Sequence, residues 1–139
     1  MLHSLDAHII SLSDSPRRKV CRERLTIKGY NPIFHDAFDA RNVKQKELDL
    51  VFDIDLFKDV FDYRVGSEVI GCTLSHHNLY KDLLKLKKTS DYHLIVEDDC
   101  IPIATSDEVK GIIDAVKNTP FDVLILGYSK TDENEYKII

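Results

Sequence analysis

"HLIVEDDC", residues 93–100, is the stretch on which the reading of this chain turns. Leu94, Ile95 and Val96 form a short apolar run of the kind a buried strand carries, and Glu97, Asp98 and Asp99 follow at once. Three adjacent carboxylates repel one another and raise one another's pKa unless positive charge sits among them. In an open α/β sheet, ligands lie beyond the carboxyl ends of the strands, so this run places its acids where ligands bind. Residues i and i+2 of an extended chain share a side, which predicts that Glu97 and Asp99 converge while Asp98 points away. Two hard oxygen ligands at a strand end suit Mg²⁺ or Mn²⁺, completed by water and phosphate oxygens. The competing reading is a solvated strand end, the usual fate of a charge run. Cys100 is too soft for such an ion and reads as packing.

Outward from this stretch the chain alternates strand and helix patterns. "AHIISL" (7–12) reads as a buried strand. Ser15 and Pro16 then open a helix that runs to a stop at Gly29. "NPIFHDAF" (31–38) reads as a second strand with Pro32 at its entry. Residues 41–65 space their apolar side chains more like a helix than a strand. The clearest helix is 67–88, with Val69, Ile70, Thr73, Leu74, His77, Tyr80, Leu83 and Leu84 on one stripe and lysines gathered at its C-terminal end. Residues 105–118 open with a capping box, Thr105 to Glu108, and "FDVLILG" (121–127) reads as a last strand. The order β-α-β-(α)-α-β-α-β predicts an α/β fold, a largely parallel sheet with helices packed on it, in a single domain over residues 1–139.

The bulk composition narrows the function classes. With 139 residues, 43% hydrophobic and 31% charged, the chain has the makings of a globular domain with a real core. A net charge of −5 offers no general basic field, which argues against nucleic acid as a partner. An anionic ligand must therefore be held locally or through a cation. No apolar run approaches the ~20 residues of a membrane span, and the first residues lack a secretory pattern. Cys21, Cys72 and Cys100 are widely spaced and form no CxxC, which suits reduced thiols and a cytoplasmic setting.

Other clusters weigh less. His76 and His77 lie about 100° apart on a helix and do not converge on one metal. Cys72 and His76, at i and i+4, share a face, but two ligands make no zinc site, and a partly buried histidine is the simpler reading. Arg17 and Arg18 stand at a helix start, where a phosphate contact competes with ordinary solvation. No nucleophile elbow, Walker A loop or GxGxxG is present.

"HIISLSDSPRR", "FHDAFDA", "IGCTLSH", "LIVEDD" and "FDVLILG", in this order and spacing, resemble glycosyltransferase family 25, which includes bacterial lipooligosaccharide galactosyltransferases and the related collagen galactosyltransferases. The resemblance runs across nearly the whole chain. It implies a GT-A fold, a Rossmann-like half that holds a nucleotide sugar through a divalent cation, Mn²⁺ or Mg²⁺, and an acidic Asp-x-Asp-type motif. Glu97-Asp98-Asp99 occupies that motif. By the resemblance Asp99 binds the metal directly, Glu97 meets the metal's water or the ribose, and Asp98 belongs to the donor site. Leu12 and Ser13, with Arg17 and Arg18, would lie near the nucleotide, and Asp36 and Asp39 would line the uridine pocket. The cation would then offset the three carboxylates and bridge them to the diphosphate. The partners implied are a UDP-sugar, with galactose the expected hexose, and a lipooligosaccharide glycan. A lipid acceptor would bring the enzyme to the inner face of the membrane, for which "KLKK" (85–88) offers a small basic patch that a solvated helix end explains equally well.

The chain departs from the family pattern in three places. Asp39-Ala40 stands where the family reads Asp-Gly, a glycine suited to a φ > 0 turn. Glu68 precedes Val69, one position (about 100° of helix) away from the family's acid. Family members are also usually longer, and the catalytic base is expected from their later part. An inverting transfer needs a carboxylate to deprotonate the acceptor hydroxyl. Asp132, Glu133 and Glu135 read as solvated, so the chain reads as the donor-binding portion without the acceptor part. Two alternatives stand beside a transferase: a truncated fragment that binds UDP-sugar and metal without turnover, and a metal-dependent phosphoesterase. The second wants a further ligand set or an aspartate nucleophile on the first strand, and "HIISLS" has none.

Overall fold

A computed structural model describes residues 4–86 and 92–127. Its elements are β1 (Leu5–Ser11), α1 (Arg17–Ile27), β2 (Tyr30–Asp36), α2 (Gln45–Leu48), α3 (Ile54–Phe61), α4 (Ser67–Lys85), β3 (Leu94–Glu97) and α5 (Ser106–Val116). The three strands form one parallel sheet in the order β2-β1-β3. The mixed α/β reading therefore holds for the described residues. Pro32 is accommodated in β2 because that strand lies at the sheet's edge, where a missing N–H is tolerated.

β1 is the middle strand, and its side chains alternate between two cores. Ala7 and Ile9 pack with Cys21, Leu25, Tyr30 and Val109, on the face that α1 and α5 cover. Ile10 packs with Leu79 and Leu83 of α4 on the opposite face. Burial pushes the Cys21 thiol up to about 11, as befits a packing residue, and Cys21, Cys72 and Cys100 are all free.

Two expectations need correction. The helical reading of 41–65 resolves into α2 and α3, because Asp53 starts a new helix by accepting the Leu56 N–H at 2.9 Å. The surrounding side chains build a separate cluster, Leu48, Val65, Ile70 and Leu74 around Ala40. The strand expected at 121–127 does not form; this stretch has no regular structure and joins no ladder. Val123 is 78% exposed and Ile125 81%, so the apolar run lacks the cross-strand neighbours from which a β-prone sequence draws its preference.

The helix signals fare better. Thr105 and Glu108 form the expected capping box, with each side chain accepting the other's backbone N–H. α1 ends at Gly29, whose φ of +83° suits glycine. Gly71 lies inside α4 because a Cβ there would come within 3.0 Å of the Phe38 carbonyl oxygen. The Ser75 hydroxyl fastens the same contact, accepting the Phe38 N–H at 2.8 Å and donating to the Gly71 carbonyl at 2.6 Å.

Three histidines cross the sheet. His8 Nδ1 lies 3.0 Å from His35 Nε2, and His8 Nε2 lies 3.4 Å from His93 Nδ1. Burial, followed by the charges of His35 and His93, holds His8 below the ordinary imidazole value against the opposing pull of Asp6. Burial also lowers His35, against Asp82 and Asp36. The unfolded chain therefore takes up protons first as pH falls below about 6.5, so acid favours unfolding until the native histidines titrate too. The thermal midpoint is expected to drop between about pH 7.5 and about pH 5.5, with a shallower slope in His8→Phe. Equal slopes in the two proteins would show that His8 does not carry this dependence.

Candidate functional site

The functional features gather at the carboxyl edge of the sheet, where β1 ends at Ser11 and β3 at Glu97. Beyond Glu97 the chain turns, closed by the Cys100 N–H on the Glu97 carbonyl at 3.1 Å. The extended geometry expected to align Glu97 with Asp99 therefore stops at Glu97. A turn satisfies the backbone there with no partner strand beyond. Strand alternation does carry Glu97 toward α4, as it carries Ile95. Asp98 turns the other way, toward α1.

Asp98 is 5% exposed and is held from three directions. Its Oδ2 accepts the hydroxyls of Ser11 at 2.7 Å and Ser15 at 2.6 Å, and its Oδ1 meets the Arg17 guanidinium at 2.9 Å. Burial pushes its pKa up, but the bonds from Ser15 and Ser11 and the charge of Arg17 outweigh it, and the carboxyl titrates below its ordinary range. For Asp98, then, the compensating positive charge is Arg17. Ser15 also accepts the Arg17 N–H at 3.3 Å, so one hydroxyl serves both the start of α1 and the acid.

Arg18 ties the ends of β1 and β2 together. It donates to the Ser11 carbonyl at 2.8 Å and to Asp36, and lies over the Phe34 ring. The loop between β1 and α1 is closed by the Ser15 N–H on the Leu12 carbonyl at 3.0 Å, leaving Ser13 exposed. Among the residues expected around the donor, the structure thus pairs Arg17 with Asp98 and Arg18 with Asp36 directly, and Ser11, which touches Asp98 and Arg18, links the two pairs. Asp39 stands apart, paired with Arg41, whose hydrogen bonds hold its carboxyl at about 2. Arg41 also reaches Asp14 at 4.0 Å, linking the loops after β1 and β2. Glu97 and Asp99 remain exposed. Asp132, Glu133 and Glu135 lie outside the described residues.

Sequence reasoning missed the company Glu97 keeps. Its Oε1 lies 3.5 Å from Cys72 Sγ and 3.3 Å from His76 Nε2, both on α4. His76 Nδ1 lies 3.1 Å from the Tyr80 hydroxyl. The signal was the shared helical face of Cys72 and His76 together with the inward face of β3; neither alone reveals the third member. Burial and then the Glu97 charge push the Cys72 thiol up.

Of the departures from the family pattern, Ala40 causes no strain. It is buried in the Leu48–Val65–Ile70–Leu74 cluster and is not among the positive-φ residues. Glu68 sits in the first turn of α4 beside Ser67. A cleft of about 270 Å³ opens beside Asp36, bordered by Phe34, His35, Ser75, Asn78 and Asp82. A larger depression of about 670 Å³ runs along the 45–64 segment, lined by none of the strand-end groups. Among the described residues, no helix is long and apolar enough to cross a membrane.

The family model for glycosyltransferase family 25 (LPS biosynthesis protein) matches residues 5–138. No curated protein and no solved structure gives a significant match to the chain.

Proposed function

The chain belongs to glycosyltransferase family 25, and from that premise we propose that it binds a UDP-hexose, galactose foremost, and serves its inverting transfer to a lipooligosaccharide glycan. The observation that carries the reading is the pair of exposed carboxylates, Glu97 and Asp99, beside an arginine network at the carboxyl edge of a parallel sheet. In this reading the sheet is the nucleotide-binding part of a GT-A fold, and the chain is its donor-binding portion, working in the cytoplasm, with the base that activates the acceptor supplied from outside it.

The chemistry of the donor set fits a hard divalent cation at two carboxylates and no more. Asp99 would hold it, joined by Glu97 only through the oxygen not turned toward Cys72 and His76, whereas Asp98 is already engaged by Ser11, Ser15 and Arg17. A bound Mn²⁺ or Mg²⁺ supplies charge neutralisation for the departing diphosphate. Arg17 and Arg18 add positive charge at the start of α1, and Asp98 fixes the loop between Leu12 and Ser15 on which they depend. Asp36 stands by the cleft as the uridine-facing acid; Ser13 lies exposed on the loop after β1, and Asp39 would join the donor surface only by exchanging its Arg41 partner for the nucleotide.

Calorimetric titration of UDP and UDP-galactose, with and without Mn²⁺, tests this directly. Manganese-dependent binding is expected in the native chain and is expected to vanish in Asp99→Ala. A folded chain that binds neither nucleotide under any condition would overturn the donor-site reading. Binding that survives Asp99→Ala would move the cation elsewhere.

A further inference from the structure

We propose that Cys72, His76 and Glu97 form a second metal site, one that takes a thiophilic transition-metal ion, Zn²⁺ foremost, in place of the hard cation of the donor site. The inference stands on these three side chains and does not depend on the donor reading. Their ligand atoms all lie within 4.8 Å of one another. Tetrahedral zinc, with a Zn–S bond of about 2.3 Å and Zn–N and Zn–O bonds of about 2.0–2.1 Å, has S···O edges of about 3.5 Å and N···O edges of about 3.3 Å. The observed separations are 3.5 Å from Cys72 Sγ to Glu97 Oε1 and 3.3 Å from His76 Nε2 to the same oxygen. Two of the three edges thus match a tetrahedral ion, and the third, Cys72 Sγ to His76 Nε2, lies within 4.8 Å, so closing that pair is the adjustment that binding requires.

Two rigid elements supply the ligands. Cys72 and His76 are one helical turn apart on α4, and Ser75 between them anchors that helix to the chain after β2. Glu97 ends β3, whose register with β1 fixes its approach. The Tyr80 hydroxyl, 3.1 Å from His76 Nδ1, can accept a hydrogen bond from Nδ1–H, which leaves the Nε2 lone pair free to ligate. A thiolate, an imidazole and one carboxylate select zinc or cobalt over magnesium and manganese. Three protein ligands leave a fourth position, and the exposure of Cys72 and Glu97 opens it to water or substrate. Glu97 uses Oε1 here, so its second oxygen remains for the donor side.

Cobalt(II) titration of the metal-free, reduced chain gives a readout that needs no enzymatic activity. We expect thiolate-to-cobalt charge-transfer absorption in the near ultraviolet and strong visible bands of a four-coordinate ion. One equivalent of Zn²⁺ should displace both, and excess Mn²⁺ should displace neither. The charge-transfer band is expected to disappear in Cys72→Ser, and Tyr80→Phe should weaken cobalt binding by about 10–100-fold through loss of the outer partner. Cys72 and Tyr80 are exposed, so both variants should keep the native thermal midpoint, which is checked alongside. A band that survives Cys72→Ser, or cobalt binding with octahedral spectra and no thiolate band, would overturn the proposal.

Discussion

Replacing Asp98 with alanine is expected to lower the unfolding free energy by about 3 kcal/mol at neutral pH and to abolish nucleotide binding with it. Hydrogen bonds to a charged group contribute roughly 1.5–3 kcal/mol each, and Asp98 accepts two from hydroxyls while almost fully buried. Its loss leaves the buried Ser11 hydroxyl only its longer contacts with the Leu12 carbonyl and Arg18 Nε, both at 3.2 Å, whereas Arg17, with its side chain 60% exposed, regains water. The ion pair itself therefore adds about 1 kcal/mol at most, and Arg17→Ala should cost no more than that. Urea unfolding measures the difference as a lower midpoint at unchanged slope.

The pH dependence of that difference has a definite sign. The native Asp98 pKa is depressed, so its contribution is present above the ordinary carboxylate range and is lost as pH falls through the lower native value. The gap between the native chain and Asp98→Ala should thus narrow in acid. A gap that stays constant down to about pH 2 would show that Asp98 acts through packing and not through its charge.

The second large effect belongs to the core. Ile9 has no exposed surface and sits on the middle strand, paired with Phe34 on one side and Val96 on the other. Ile9→Ala should cost about 2–5 kcal/mol, toward the upper end, because two flanking strands and two helices limit how far the cavity can collapse. Ile9→Val should cost about 0.5–1.5 kcal/mol. Ile27, 83% exposed at the end of α1, provides the contrast: its alanine variant should stay within about 0.5 kcal/mol of the native chain. Comparable losses at both positions would mean that the sheet is not the centre of stability. For a domain of ordinary stability, about 5–15 kcal/mol, the Ile9→Ala loss is a large fraction of the whole.

Much of this was legible without coordinates wherever a local signal sufficed. The three strands, within a few residues of their bounds, the helix that follows Ser15 and Pro16 (which starts at Arg17), its stop at Gly29 and the Thr105–Glu108 box all follow from apolar runs, caps and glycines that act within a few residues. "FDVLILG" shows where such signals fail. Its apolar run reads as a strand, but a strand exists only through pairing, and the edge of β3 is not joined to it. The 41–65 stretch failed differently, because its helical spacing was right and the cap at Asp53 divided it.

By itself the sequence determined the α/β alternation, the family, and the placing of the acidic triplet at a strand end, since each is written in local patterns and their order. Only the tertiary structure decided what the three acids do. Strand alternation carries Glu97, the last residue of β3, to Cys72 and His76 on α4, and the turn that follows swings Asp98 to Ser11, Ser15 and Arg17 on the side of α1. These partners are 21 to 87 residues away along the chain. No local spacing encodes such contacts; the packing of helices on both faces of the sheet creates them.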